Sequence, residues 1–393
     1  MDKKEKKLFL LWTPSYYPRF GGLESATREY ASFLKERGWK VKIISNKYPV
    51  SLPKSEQIDN INIKRYLFLS RPIHYLKNKR LDLFFAYIVF KPITLFRLIF
   101  YFKKNKPSIV NVHFPDNQLI ELVILSLFFK FNLIVSMHGD EVERLSEIKK
   151  DSFRYMLYLK IFDQSKYISF CSNYLLKKFK EIFNNTNEDK LMVVNNGVNK
   201  NFITSKITIK KKNYFFSASR FTPKKGLSIV FKIFEDLNMK ELQIAGGSRK
   251  DGESFSSNIT QNIKFLGVLS RNQIINRLKS SALTIIPTKN EPYGIIVAEA
   301  LCLGSPIVTT KVGGIPELVN SVRNKLNIQQ KNIFDQWVKV VEPNEISIKN
   351  GIKSIISNKN SIKEYISLVE SFRHEFLWEN KLKILINRIE NFD

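Results

Sequence analysis

A chain of 393 residues with 44% hydrophobic and 25% charged residues is no disordered polymer, and it is long enough that two domains of about 150 to 200 residues are expected. Its formal charge of +28 repels itself and attracts anions, so composition alone brings in nucleic acid or an anionic membrane leaflet as a partner class. The only two cysteines, Cys171 and Cys302, lie in apolar runs and exclude a disulfide framework, so a reduced, cytoplasmic compartment is expected.

The opening MDKKEKKLFLLWTPSYYP is basic, but its apolar stretch is only LFLLW and no small-residue cleavage site follows. It reads as a first strand, not a signal peptide. The loop TPSYYPRFGG leads into LESATREYASFLKERG, where Leu23, Ala26, Tyr30, Phe33 and Leu34 recur at helical spacing and Gly38 supplies a stop. Gly21 and Gly22 let the backbone approach a phosphate at the start of that helix, although most such pairs are turns. Arg19 either adds charge there or is exposed.

WKVKIIS and INIKRYLF continue as strands. The segment 71–106 then carries nine cations, Arg71 and Lys106 at its ends, against Asp82 alone, interleaved with aromatic and aliphatic residues. Lys91, Pro92 and Arg97 interrupt the apolar run, so it is expected not to cross a bilayer but to lie at an anionic interface, or to pack on the sheet with its lysines solvated. PSIVNVH, NLIVSMH, KYISFCS and LMVVNNG complete a strand series in which His113 and His138 end strands. Either histidine could be structural; His138, followed by Gly139, could also hydrogen-bond a polar ligand, and Asp140 either touches a ligand or caps the next segment.

The lysine-rich connector ITSKITIKKKN places a boundary between 1–205 and 206–374, with a final amphipathic helix at about 375–393. After it the alternation restarts with NYFFSASR, ELQIAGG, NIKFLGV and LTIIPT, implying a second parallel sheet wrapped by helices. In such sheets ligands bind beyond the carboxyl ends of strands, where Arg220 and Lys225 of SASRFTPKKG fall; Lys224 reads as a solvated neighbour. Glu291 and Glu299 bracket a helix start in NEPYGIIVAEAL, so the N–H groups of Gly294, Ile295 and Ile296 offer an anion seat between two carboxylates. No DxD ends a strand, and His74, His113, His138 and His374 form no ligand-spaced set, so no metal or cofactor is expected and fixed cations would have to meet an anion at that seat.

The string NEPYGIIVAEALCLGSPIVTTKVGGIPELV resembles the E-x7-E signature of glycosyltransferase family 4, retaining enzymes of the GT-B fold. The resemblance implies an α/β architecture of two Rossmann-like parallel-sheet domains facing across a cleft, an acceptor-binding domain at 1–205 on which the C-terminal helix packs back, and a nucleotide-sugar domain at 206–374. It implies that Arg220 and Lys225 clamp the diphosphate, Gly21 and Gly22 form the glycine loop, and His138 faces donor sugar and acceptor. Glu299 would hold the ribose, Glu291 the hexose, and Gly294, Ile295 and Ile296 would lie against the donor. The activity implied is metal-independent transfer of a hexose from a UDP- or GDP-linked donor to a saccharide or lipid-linked acceptor in cell-surface polysaccharide or lipopolysaccharide synthesis, in the cytoplasm at the inner membrane. This chain departs from the pattern at NNGVN, Asn195 to Asn199, and at NSVRNKLNIQQKNIFDQ after GGIPE. A basic nucleic-acid-binding protein and an epimerase on the same fold are the alternatives; dispersed charge and the absence of an RNP, helix-turn-helix or zinc pattern disfavour nucleic acid.

Overall fold

The computed structural model describes residues 7–19, 21–70, 72–236, 241–256 and 258–390; Arg71, counted above in the basic segment, lies outside them. The chain forms two compact units, Met1–Asn195 with Leu382–Asp393, and Asn196–Lys381.

The first unit carries β1 (Leu8–Thr13), β2 (Lys40–Asn46), β3 (Ser55–Ile58), β4 (Ile61–Tyr66), β5 (Ile109–His113), β6 (Asn132–Met137), β7 (Tyr167–Phe170) and β8 (Leu191–Val193). They form one sheet in the order β3-β4-β2-β1-β5-β6-β7-β8. Pairing is parallel except for the β3–β4 hairpin, where Ile58 lies opposite Ile61. All six residues of β1 are buried, which is why LFLLWT shows no alternation: a strand covered on both faces has no polar side. The order reverses between β1 and β5, the place where an open α/β sheet leaves a crevice.

The second unit repeats the scheme with β9 (Tyr214–Ala218), β10 (Glu241–Ala245), β11 (Ile263–Phe265), β12 (Leu283–Ile286), β13 (Ile307–Thr310) and β14 (Val338–Val341). The order is β11-β10-β9-β12-β13-β14, parallel throughout, with its reversal between β9 and β12. Each parallel return needs a helical crossover, and the amphipathic stretches of the sequence supply it.

Unit bounds differ from the sequence expectation at both crossings. The first falls at Asn195/Asn196, not 205/206, because Val198 N–H donates to Phe376 O (2.7 Å) and Arg373 Nη1 donates to Ser205 O (3.0 Å). The return falls at Leu382, inside the Trp378–Glu390 helix, from which Leu385, Ile386 and Ile389 are buried and Arg388 reaches Asp189 O at 3.2 Å. The divergent segment after GGIPE ends the Ile315–Arg323 helix and then forms most of the Ile328–Trp337 helix, started by a capping box between Asn327 and Gln330.

The basic segment also differs. Leu81–Asn105 is one continuous helix through Pro92, and an 18-residue window in it has mean hydropathy 1.8 with only 11% of that window buried. By length and composition it could cross a membrane, so charge and proline do not interrupt it as expected. The reason is where the interrupters go: Lys91 turns inward to Glu121 (2.7 Å), whose side chain is wholly buried, and Arg97 lies over the Tyr66 ring.

Candidate active site

In the second unit the loops that follow β9, β12 and β13 meet. The β9 loop ends in a short 3-10 turn, Pro223–Lys225, and Gly226 at φ +69; a Cβ there would stand 1.9 Å from Pro287 O, so only glycine lets the two loops touch. Their contact is fixed by one carbonyl: Lys224 O accepts N–H bonds from Lys289 (2.7 Å) and Asn290 (3.3 Å) and the Thr288 hydroxyl (3.1 Å). Lys224 itself is exposed, as its assignment to a solvated face anticipates, while Lys225 turns in to donate to Glu291 Oε2 at 2.6 Å. Both side chains of that pair are mostly buried, at 18% and 15% exposure, which weakens screening and makes their charges felt by any ligand. Arg220 follows β9 with its side chain exposed and no ion pair among the described residues.

The Ile295–Cys302 helix starts after Gly294 in the left-handed region, φ +98. Its first N–H groups, with those of Gly294, Ile295 and Ile296, form the positive end of the helix. Most of the helix is buried; Ile295, Ile296 and Glu299 make its half-exposed stripe, as i and i+4 or i+3 neighbours must. The β13 loop closes this corner. Gly314 N–H donates to Glu291 O (2.9 Å), and a Cβ on Gly313 would stand 1.9 Å from that same oxygen.

In the first unit His113 ends β5 and His138 follows β6, so parallel pairing sets the two imidazoles side by side. Their rings stack with centroids 4.9 Å apart, and His138 Nε2 lies 3.1 Å from His113 Nδ1. Burial drives both down, His113 well below the ordinary range with the neighbouring imidazole adding to it, and His138 to about 4. The pair is neutral near pH 7 and shares one proton in that contact, and His138 is half-buried. Beneath it, Tyr30 stands edge-on to His113 (5.4 Å), Asn111 donates to the Tyr30 hydroxyl (3.3 Å), and Ser136 links Asn111 to Ser169 at 2.9 Å on each side.

Gly139, at φ +154, turns the chain after His138 so that Glu141 accepts the N–H groups of both His138 and Gly139. Burial pushes Glu141 up to about 7 against the downward pull of those donors. Asp140, by contrast, is exposed at the start of the Asp140–Ser146 helix. Gly21 and Gly22 open the Gly22–Glu36 helix after β1, and a carboxylate already lies at that end: Ser15 donates to Glu24, whose Oε2 is 2.5 Å from where a Gly21 Cβ would go. A phosphate approaching those glycines must displace Glu24. Among the described residues no three His, Cys, Asp or Glu side chains converge as metal ligands would.

The family model described as Glycosyltransferase Family 4 matches residues 20–202, and the one described as Glycosyl transferases group 1 matches residues 199–367. The chain belongs to glycosyltransferase family 4. An uncharacterized glycosyltransferase of Methanocaldococcus jannaschii is 25% identical over 95% of this chain and 96% of its own length. A GDP-mannose-dependent monoacylated alpha-(1-6)-phosphatidylinositol monomannoside mannosyltransferase of Corynebacterium glutamicum is 26% identical over 48% of this chain and 54% of its own. In fold, this glycosyltransferase is similar to the sucrose-phosphate synthase of Thermosynechococcus elongatus, with a TM-score of 0.71 at 16% identity over 98% of both chains. Two parallel-sheet α/β domains of GT-B type are therefore its architecture.

In this glycosyltransferase the expected donor residues Lys225, Glu291, Gly294, Ile295, Ile296 and Glu299 gather at the β9–β12 reversal, and Gly21, Gly22 and His113 lie at the β1–β5 reversal with His138 beside it. Sequence reasoning passes over Glu141, Asn111, Tyr30 and Gly313. Asn111 carried a signal: it is a polar residue inside the apolar run IVNVH, which a buried strand tolerates only with partners.

Proposed function

We propose that this glycosyltransferase moves a hexose from a nucleoside-diphosphate donor, UDP- or GDP-linked, to a saccharide or lipid-linked acceptor with retention of configuration, in the cytoplasm, for cell-surface polysaccharide or lipopolysaccharide synthesis. The observation that carries the reading is the Lys225–Glu291 pair set at the sheet reversal beside the start of the Ile295–Cys302 helix. Breaking the bond to the leaving diphosphate builds negative charge, and the Lys225 ammonium, the Arg220 guanidinium and the helix N–H groups stabilise it without reorganising water. Glu291 keeps Lys225 aimed and accepts a hexose hydroxyl; Glu299, one turn into the helix, accepts the ribose hydroxyls. His138, held neutral, hydrogen-bonds sugar or acceptor, and the departing phosphate oxygen takes the acceptor proton, so no protein nucleophile is assigned. Two free buried cysteines suit a reducing compartment. The lipid acceptor draws support from the corynebacterial relative, whose name specifies a phosphatidylinositol mannoside.

The test is Glu299→Ala, assayed for glycoside formation with the donor that gives the largest thermal stabilisation among UDP-, GDP- and ADP-sugars. Transfer should fall at least about 100-fold, as for loss of a transition-state contact, with Tm nearly unchanged. Full turnover by that variant removes the site assignment. Conversion of the sugar to an epimer without transfer would favour the epimerase instead.

A further inference from the structure

The Leu81–Asn105 helix is anchored on one side only. Thr94, Leu98 and Phe102 are its buried residues: the Thr94 hydroxyl donates to Leu67 O (3.1 Å), and Phe102 packs against Phe129 and Phe131 with centroids 5.6 Å away from each. Lys91, on the same side, donates to Leu69 O and pairs with Glu121. The other side presents Phe85 (61% exposed), Val89, Ile93, Phe96 (61%) and Phe100 (56%), with exposed Pro92 between them. From Phe85 to Phe100 this face runs about 22 Å at 1.5 Å per residue. Isolated exposed apolar residues are ordinary on a protein surface; a continuous stripe of large ones is not.

Charge surrounds the stripe without entering it. Lys77 and Lys79 precede it, with Arg80 paired to Asp82 at 2.7 Å, exposed Arg97 lies over the Tyr66 ring, and Lys103, Lys104 and Lys106 follow. At its C-terminal end an open groove is lined by Lys7, Lys103, Lys106 and Lys130 beside Phe128 and Phe129, and among the described residues no carboxylate lines it. Phe128 is itself 69% exposed. An apolar stripe bordered by cations matches one partner, an anionic lipid surface, where aromatic rings enter the acyl boundary and ammonium groups meet phosphates. A second copy of the chain would bring the same cations against these.

We propose that the first unit docks on anionic membrane with this helix lying in the plane of the interface, Phe85, Val89, Ile93, Phe96 and Phe100 inserted, and the Lys103–Lys106–Lys130 groove holding lipid phosphates. The inference rests on the surface alone and not on the transfer reaction. Although the helix is long enough to span, crossing would tear Leu98, Phe102 and the Lys91–Glu121 pair out of the unit, so it lies flat.

The test is co-sedimentation of the full chain with vesicles of phosphatidylcholine alone or with phosphatidylglycerol at 3:1, in 0.1 M salt. Wild type should bind the mixed vesicles at least tenfold better than the neutral ones and be released by alkaline carbonate. Phe85→Glu/Phe96→Glu, both exposed and away from the reacting groups, should cut binding at least tenfold with Tm unchanged, and Lys103→Glu/Lys130→Glu should abolish the preference for phosphatidylglycerol. Any of these results overturns the proposal: equal binding to both vesicles, binding indifferent to the phenylalanine pair, resistance to carbonate extraction, or a wild-type dimer in sedimentation velocity that the phenylalanine variant dissociates. RNA binding that survives the phenylalanine variant while vesicle binding is absent would overturn it in favour of nucleic acid.

Discussion

Gly313→Ala tests whether Glu291 is held where catalysis needs it. At φ +57 the backbone already disfavours an L side chain by about 1 to 2 kcal/mol. The added methyl would also stand 1.9 Å from Glu291 O, and ordinary contact requires that oxygen to retreat by about 1.5 Å, breaking its 2.9 Å bond from Gly314 N–H. Gly267→Ala is the matched control: φ is +65 but nothing lies within 4 Å, so it bears the backbone cost without the push. Gly267→Ala should lose about 1 to 2 kcal/mol, a few degrees in Tm for a domain of this size, and Gly313→Ala more than that, by the displaced carbonyl and its broken bond. Only Gly313→Ala displaces a carboxylate of the site. Since an error of about 1 Å in a positioned group costs on the order of 100-fold, kcat/KM should fall by that factor for Gly313→Ala and stay near wild type for Gly267→Ala. Equal kcat/KM in the two folded variants would refute the argument that this glycine positions Glu291.

Lys91→Met leaves the Glu121 carboxylate buried without its cation, so urea unfolding at pH 8 should show a loss of about 3 to 5 kcal/mol. Burial pushes Glu121 up and Lys91 opposes this, so the loss should shrink as pH falls and the acid protonates; an identical loss at pH 5 and pH 8 would contradict the pair's role. For Glu141, the folded-state value near 7 exceeds the ordinary 4.5, so its contribution is present below about pH 4.5 and is lost as pH rises toward 7. Relative to Glu141→Gln, wild type should therefore lose roughly 3 kcal/mol between pH 4.5 and 8; parallel Tm–pH curves for the two proteins would show that the carboxylate is not raised.

The order of elements was legible because buried parallel strands read as apolar runs and their crossovers as amphipathic stretches: every strand expected between LFLLW and LTIIPT appears near its place. The edge strands β3 and β14 were not, because SEQI and VKVV are short and half-exposed and carry little periodic signal. In the second unit, Lys225 was readable beside Gly226, and Glu291 by its spacing from Glu299 ahead of Gly294. Glu141 was not, because a carboxylate in DEVERLS looks like any acid in a first helical turn, and only the fold at Gly139 aims it at two backbone donors. The outward face of the Leu81–Asn105 helix was half-legible: composition shows cations among aromatics, but which way Lys91 points depends on Glu121, thirty residues later.

The three donors on the Lys224 carbonyl bind two loops into one rigid piece, so Lys225 and Glu291 cannot drift apart thermally as separate loop residues would. If the proposed donor binds here, it meets this part of its seat already assembled, and its affinity is not diminished by the fraction of time an unformed site would spend open. Divergence among related enzymes in which sugar they accept should then accumulate in segments outside the riveted pair, and not at Gly246 after β10, where a Cβ would stand 1.9 Å from Ser219 O.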